Sequence, residues 1–432
     1  MDGKVSGNMG GSARERADGA PQRFLTPALT ALLAAQLCSL TGETVLRFVL
    51  PLHILNLTGS ASLYGAMAAA AFVPYILLMP VGGVIADRVR KQRLMAGLDA
   101  VFALLALVYL AASGKVDTVA LTFTVLMLLY AGHALYQPSI QASVPQLVAS
   151  RHTKRAVALV SQVNMLTAIL GPVLGGAVFG FFGIIPILGM SVATFAVSCV
   201  LIIAFVRMRD GGPAVPVGPA GSYENPFAIF VSDIREAAAF LKDRPVMWQT
   251  ILFACALNLV LSAGLTVGTP YIVTEHWGLP NQFMGIAEAS LGVGGLLGGV
   301  LVAVRPAAFP FTRVPALVSI AVLGLMPSAA SLVFGIPSRM AFAIMALGLV
   351  WIMAFATCVT ITLTSYLQTE TPHRLVGKVV SLMFAAVNCA TPLGQLVFGI
   401  ASDALEPAII ECAMLAVTLV LALVMRAAFR RM

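Results

Sequence analysis

The sequence predicts an all-α integral membrane protein, with twelve transmembrane helices arranged in two six-helix bundles. Three features of the chain carry that expectation. Of its 432 residues, 59% are hydrophobic and only 10% charged. A soluble domain carries about a quarter charged residues, so a chain this apolar cannot cover itself in polar surface, whereas lipid accepts apolar side chains outward. A helix needs about 20 apolar residues to cross hydrocarbon, and twelve stretches meet that length. Finally, Lys and Arg are divided between the connecting segments very unevenly.

The spans fall near 27–50, 62–84, 94–113, 118–142, 156–180, 184–206, 247–273, 282–304, 314–335, 339–366, 376–402 and 408–427. Residues 1–26 form a polar tail without the short apolar core and cleavage site of a signal peptide. They are expected to be a disordered cytoplasmic tail. Residues 27–206 then make the first bundle and 246–427 the second, with 428–432 as the C-terminus. Helix 4 runs into Pro138 and Pro145, so a bend or early stop is expected there. The linker 207–245 holds GGPAVPVGPAGS and then FAIFVSDIREAAAFLKDRP. The latter has helical apolar spacing and is expected to lie as an amphipathic helix on the cytoplasmic membrane surface.

With the N-terminus inside, the tail, the even-to-odd loops and the C-terminus carry 23 of the 26 Lys and Arg residues. The opposite loops keep only Lys115 and Arg339, and Arg47 lies within helix 1. Basic residues collect in cytoplasmic loops, so both termini are expected in the cytoplasm. The same distribution accounts for the net charge of +8 without a nucleic-acid partner. The six cysteines all lie within apolar segments, with neither CxxC spacing nor a nearby His, and imply neither disulfides nor a metal site.

The halves look related. GPVLGGAVFG (171–180) in helix 5 matches TPLGQLVFG (391–399) in helix 11, and Gly82-Gly83-Val84 matches Gly298-Gly299-Val300. Six helices, a long linker and six more helices is the layout of a transporter built from two parallel halves. A channel or membrane enzyme needs no such duplication.

GGVIADRVRKQRLM (82–95) follows a span free of charge and packs one acid among four bases: Asp87 with Arg88, Arg90, Lys91 and Arg93. The pattern G-x-x-x-D-R-x-x-[RK], on Gly83, Asp87, Arg88 and Lys91, resembles the loop 2–3 signature of the major facilitator superfamily. Ala86 also matches. The resemblance implies a latch in which Asp87 meets a helix N-terminus or an Arg on a neighbouring helix and holds the cytoplasmic side shut. Arg90 departs from the family's Gly, Lys91 replaces its Arg, and the helix 8–9 counterpart is eroded at Ala303, so the latch is expected to be one-sided. Arg90 and Arg93 are read as setting topology only. Gly171, Pro172, Gly175 and Gly176 resemble the helix 5 motif of the superfamily's antiporters, with Thr167 where a further Gly is expected. Pro172 bends the helix and the glycines permit tight contact. LTGETVLRFVLPLHILNLTGSASLYG, PSIQASVPQLV and SDIREAAAFLKDRP extend the resemblance to the macrolide-efflux and enterobactin-exporter branch.

Charges within spans are expensive. Glu43 and Arg47 are four apart, hence on one face of helix 1. Either Glu43 exchanges protons under the influence of Arg47, or the pair snorkels at the outer interface, since Arg47 falls near the end of the span. Glu288, in the Gly/Ala-rich helix 8, is the second proton candidate. Asp99 is expected to partner the basic loop. Glu411 is placed in the outer portion of helix 12, Glu275 and His276 at the outer mouth of helix 7, and Asp403 and Glu406 in a loop. Gln36, Gln162, Asn164, Asn258 and Asn388 are candidates for a substrate cavity, with Phe72, Tyr130, Tyr136, Trp351 and Phe384 adding apolar contact.

No GxxxxGK[ST], HExxH, GxSxG or Cys/His cluster is present, so no P-loop, catalytic residue, metal or cofactor is expected. The function implied is a monomeric secondary transporter of the inner membrane, exporting an amphipathic drug, macrolide-like or siderophore-like molecule against protons by alternating access. A proton-coupled nutrient importer is the alternative. A non-transporting scaffold is a weaker one, having no use for membrane acids or a latch.

Overall fold

A computed structural model describes residues 25–206, 226–372 and 374–430, and every regular element among them is helical. The first half comprises α1 (Pro27–Thr58), α2 (Ala61–Arg88), α3 (Lys91–Ala112), α4 (Thr118–Leu147), α5 (Thr153–Phe182) and α6 (Ile184–Phe205). The linker helix α7 (Pro226–Lys242) follows. The second half comprises α8 (Pro245–His276), α9 (Gln282–Val304), α10 (Phe311–Val333), α11 (Ser338–Glu370), α12 (Val376–Ala404) and α13 (Pro407–Arg430). All of these except α7 are long and apolar enough to cross a membrane, giving the twelve spans expected. The tail to residue 24 and linker residues 207–225 lie outside the described residues.

Three elements depart from expectation. α1 runs unbroken through Pro51 to Thr58, well past residue 50. Thr26 caps its start by accepting from the Leu29 amide, and Gly59 ends it in the left-handed region (φ +66°) that glycine adopts without penalty. α4 absorbs both Pro138 and Pro145 and continues to Leu147. α8 changes pitch, with π turns over Gly264–Gly268 and Tyr271–His276.

Within the first half α1 packs on α5 and α6, α2 on α4, and α3 on α6. The second half repeats this, with α8 on α12 and α13, and α9 on α11. The halves meet through two pairs, α2 with α12 and α5 with α9. These pairs are exchanged when each helix is replaced by the one six spans away, which is the symmetry that the repeated Gly-Pro and Gly-Gly segments imply. Side-chain-free positions recur accordingly. A methyl group on Gly82 of α2 would fall 2.3 Å from the Ala134 carbonyl oxygen of α4, and one on Gly298 of α9 would fall 2.2 Å from the Ala354 oxygen of α11. Lipid offers no hydrophobic drive to pull helices together, so such close approach supplies the packing.

The halves are closed against each other at the face opposite α7. Gly176 of α5 abuts the backbone of Gly285 in α9, while Gly399 of α12 abuts the Ala61 carbonyl of α2. Asp403, in the last turn of α12 rather than in a loop, accepts hydrogen bonds from the Ala61 amide (2.7 Å), the Ser62 amide (3.1 Å) and the Ser60 hydroxyl (2.9 Å). A carboxylate from one half thus caps the positive end of a helix in the other. Asn56 donates to the Asn281 side chain on the same face (3.0 Å).

At the opposite face α7 buries Ala237 and Leu241 against Met247, Ile251, Leu367 and Val379 of the second half. The C-terminal part of its apolar face is therefore covered by protein, while Val231 is exposed. Glu236 and Asp233 ion-pair with Lys378, and Glu236 also with Arg374 (3.0 Å). The hydrogen bond from Lys378, with the charges of Lys378 and Arg374, holds the Glu236 carboxyl below the usual carboxylate range.

Two outcomes are expected. Asp403→Ala removes the cap, worth about 1 kcal/mol, and should raise about fivefold the reaction of a cysteine at position 56 with a membrane-impermeant thiol reagent in a background free of reactive native cysteines. Because the Glu236 pKa is depressed in the folded protein, its contribution to docking α7 is complete above the ordinary Glu value of about 4.3 and fades as pH falls through the lower folded value. Hydrogen exchange over 226–242 should be flat from neutral pH to about 5 after correction for intrinsic rates, and should rise below about 4, with Lys378→Ala raising it at every pH.

Candidate functional site

α1 carries Gln36, Ser39, Glu43 and Arg47 at spacings of three and four, so they lie in one row along the helix. Packing against α4 and α5 turns that row inward, and Gln36, Ser39 and Glu43 are fully buried. Arg47 stands eleven residues before the end of α1, about three helical turns from Gly59.

Glu43 is the centre of the site. Its carboxylate meets the Arg47 guanidinium at 3.1 Å and the His133 Nδ1 of α4 at 2.8 Å. Arg47 in turn lies over the Tyr130 ring, its Cζ 3.7 Å from the centroid, an arrangement favoured by the ring's negative face. Tyr75 of α2 sits 5.7 Å from the His133 ring and Phe72 5.3 Å from Tyr130. The side chains of Arg47 and His133 are 20% and 17% exposed and that of Glu43 is 0% exposed, so water reaches the carboxylate only past its partners. Tyr64 of α2 is buried, and Glu288 lies on α9 in the second half. Glu288 forms no salt bridge among the described residues.

His133 was invisible in the sequence. It stands alone in an apolar span, ninety positions from Glu43, and the only available signal was a shared register with Tyr130 and Gln137 on one face of helix 4.

The cavity candidates divide. Gln36 is fully buried, donating to the Asn164 side chain (2.8 Å) and the Val160 carbonyl (3.2 Å), and Asn164 also accepts from Gln137 (3.3 Å). These amides tie α1, α4 and α5 together. Asn258 ties α8 to α12 through the Val387 carbonyl and Thr391. Gln162 and Asn388 are exposed in mid-span. An amide facing lipid would go unsatisfied, so they are the two that suit a water-filled passage. Tyr136, expected beside them, is core, packed on Phe102. Trp351 spends its indole N–H on the Ile320 carbonyl of α10, and Phe384 is exposed.

Of the helix 5 motif, Gly171 meets Thr44 and Gly175 meets Val49, both on α1, while Gly176 meets α9. Pro172 stands inside α5, which continues past it to Phe182. Gly83, Asp87 and Arg88 fall in the last turns of α2 with side chains outside the described residues, and Lys91 opens α3. Among the described residues Asp99 forms no ion pair with the basic loop. It is fully buried and accepts from the hydroxyls of Ser39 in α1 and Ser198 in α6, both at 2.6 Å.

The sequence profile of the Major Facilitator Superfamily matches residues 32–395, so the chain belongs to that superfamily of transporters and is not an enzyme. The chain is 21% identical over 385 residues to macrolide efflux protein A of Streptococcus pyogenes, covering 86% of this chain and 88% of that protein. It is 26% identical over 383 residues to multidrug efflux pump Tap of Mycobacterium tuberculosis, covering 86% of each. Among solved structures, a peptide transporter of the POT type aligns with a TM-score of 0.73 at 14% identity, over 97% of this chain and 98% of that one. A bacterial homologue of the iron transporter ferroportin aligns at 0.69 and 16% identity, over 94% and 98%. Transporters of this kind carry small molecules and sit in the lipid bilayer.

The buried ion pair has an asymmetric mutational signature. Glu43→Leu leaves Arg47 without a carboxylate among the described residues, and should destabilise the protein by about 3 kcal/mol or more. Arg47→Leu leaves Glu43 with His133 and should cost about 1–2 kcal/mol less, because one partner remains. Chemical unfolding of the two variants in detergent, read by tryptophan fluorescence, makes the comparison.

Proposed function

We propose that this major facilitator superfamily member is a proton-driven exporter of amphipathic small molecules, of the drug, macrolide or siderophore kind, and that the Glu43–His133–Arg47 cluster is its exchange site. The observation that carries this reading is a fully buried carboxylate within a span, paired with a partly exposed imidazole and a partly exposed guanidinium. With Arg47 permanently charged, the cluster is neutral when Glu43 is ionised and His133 is not. A further proton, taken up on His133 or Glu43, leaves one excess positive charge.

That excess makes proton and cationic substrate mutually exclusive. Two unit charges 4 Å apart at an effective dielectric constant near 20 repel by about 4 kcal/mol, close to a thousandfold in affinity. A cationic amphiphile entering beside Glu43, its apolar body against Phe72, Tyr75 and Tyr130, expels the proton. A proton arriving from the other side expels the amphiphile. Glu288 of α9 serves as a second acid in the opposite half.

Alternating access follows from the two faces. The face closed by Asp403, Gly176 and Gly399 is taken as the outer one. α7, the basic loops, the latch residues Gly83, Asp87, Arg88 and Lys91, and both termini then lie on the cytoplasmic side of the inner membrane. Opening outward breaks the Asp403 cap and requires the α2–α3 latch to form. The direction of transport is supported by the efflux proteins among the relatives and by the glycine-proline motif of α5. The two-bundle arrangement is complete within one chain, so the working unit is taken as a monomer.

The test is transport in inside-out vesicles with an acid interior and a dye reporting ΔpH. Adding a macrolide or a cationic dye should dissipate the gradient by exchange, and Glu43→Gln or His133→Ala should cut that exchange at least tenfold. Proton-coupled transport that survives neutralising both Glu43 and Glu288 would sink the proposal.

A further inference from the structure

The second half contains a buried acid that the exchange site does not use. Glu411 of α13 is 5% exposed, and its Oε2 has no hydrogen-bond partner. The Ser328 hydroxyl of α10, 4% exposed, is likewise unpartnered. Both line one small cavity between α8, α10, α11 and α13, with room for a guest about the size of a water. Thr269 of α8 adds a third oxygen to the wall, directly after the π turn Gly264–Gly268, and the rest of the lining is apolar or backbone. π turns concentrate at functional sites. Glu411 also lies near Pro407, Ile410 and Ser402, toward the end of α13 on the closed face.

We infer that Glu411, Ser328 and Thr269 bind a dehydrated monovalent cation of the sodium class. A buried carboxylate must be neutralised, and no Lys, Arg or His pairs with Glu411 among the described residues. Both oxygens belong to the wall of the same guest-sized space, and neither has a hydrogen-bond partner among the described residues. Hard oxygen donors without a nearby nitrogen ligand suit an alkali or alkaline-earth ion rather than a transition metal. One carboxylate balances a single positive charge, and no group of three His, Cys, Asp or Glu gathers for a metal among the described residues. The ion ties α13 to α10 and to the π-distorted stretch of α8.

The experiment is equilibrium dialysis of the purified full-length protein in detergent against radioactive sodium, with choline chloride holding the ionic strength. One sodium per chain is expected. Glu411→Gln should abolish binding while retaining its gel-filtration profile, and Ser328→Ala should weaken it about tenfold. Glu43→Gln should leave it intact, which separates this site from the exchange cluster. Wild-type protein that takes up no sodium would overturn the inference, as would a folded Glu411→Gln variant that binds normally. Should Glu411→Gln fail to fold, unchanged affinity in Ser328→Ala overturns it instead.

Discussion

The structure depends on backbone meeting backbone. In lipid the hydrophobic effect does not pull helices together, so what holds them is dispersion at short range and the few polar contacts they can share. Gly82 against Ala134, Gly298 against Ala354, Gly176 against Gly285 and Gly399 against Ala61 are positions where no side chain fits. They occur at equivalent places in the two halves. Backbone contacts of one kind thus build each bundle, on α2–α4 and α9–α11, and join the two bundles, on α2–α12 and α5–α9. A seam made of glycine is smooth, and it can part without disentangling side chains.

Against that uniform background the chain handles its buried acids in three ways. Glu43 is balanced by Arg47 and His133. Asp99 is held by two serine hydroxyls from different helices. Glu411 has an oxygen with no hydrogen-bond partner among the described residues. The first is placed where water reaches its partners and the half-to-half interface is close, which suits exchange. The second is sealed among α1, α3 and α6 and suits cohesion of the first bundle. The third lies in the second bundle, beside the helix with two π turns. The internal symmetry of the backbone is thus not matched by symmetry of charge: among the described residues the buried ion cluster lies in the first half.

The amphipathic linker connects these themes. Its covered face joins the second half through Ala237 and Leu241, and its acids reach Lys378 and Arg374 at the start of α12. α12 is also the helix that caps α2 at the opposite face through Asp403. One helix is thereby anchored at both ends, to the linker at one face and to the other half at the far one.

Composition and the length of apolar runs were enough to determine that the chain crosses a membrane twelve times, because burial in lipid imposes a minimum span that sequence records directly. The repeated Gly-Pro and Gly-Gly segments exposed the duplication, and the i, i+4 spacing of Glu43 and Arg47 placed them on one helix face. What the sequence left open was helix ends and partnership. Pro51 was no guide to where α1 stops, because the helix absorbs it. Gln36 and Tyr136 looked like cavity residues and proved to be packing, since polarity and size do not tell which neighbour a side chain faces. His133 and Ser328 had no signal of their own. Their significance comes from α4 crossing α1 and from α10 facing α13, contacts between segments some ninety residues apart that only the tertiary packing of helices could decide.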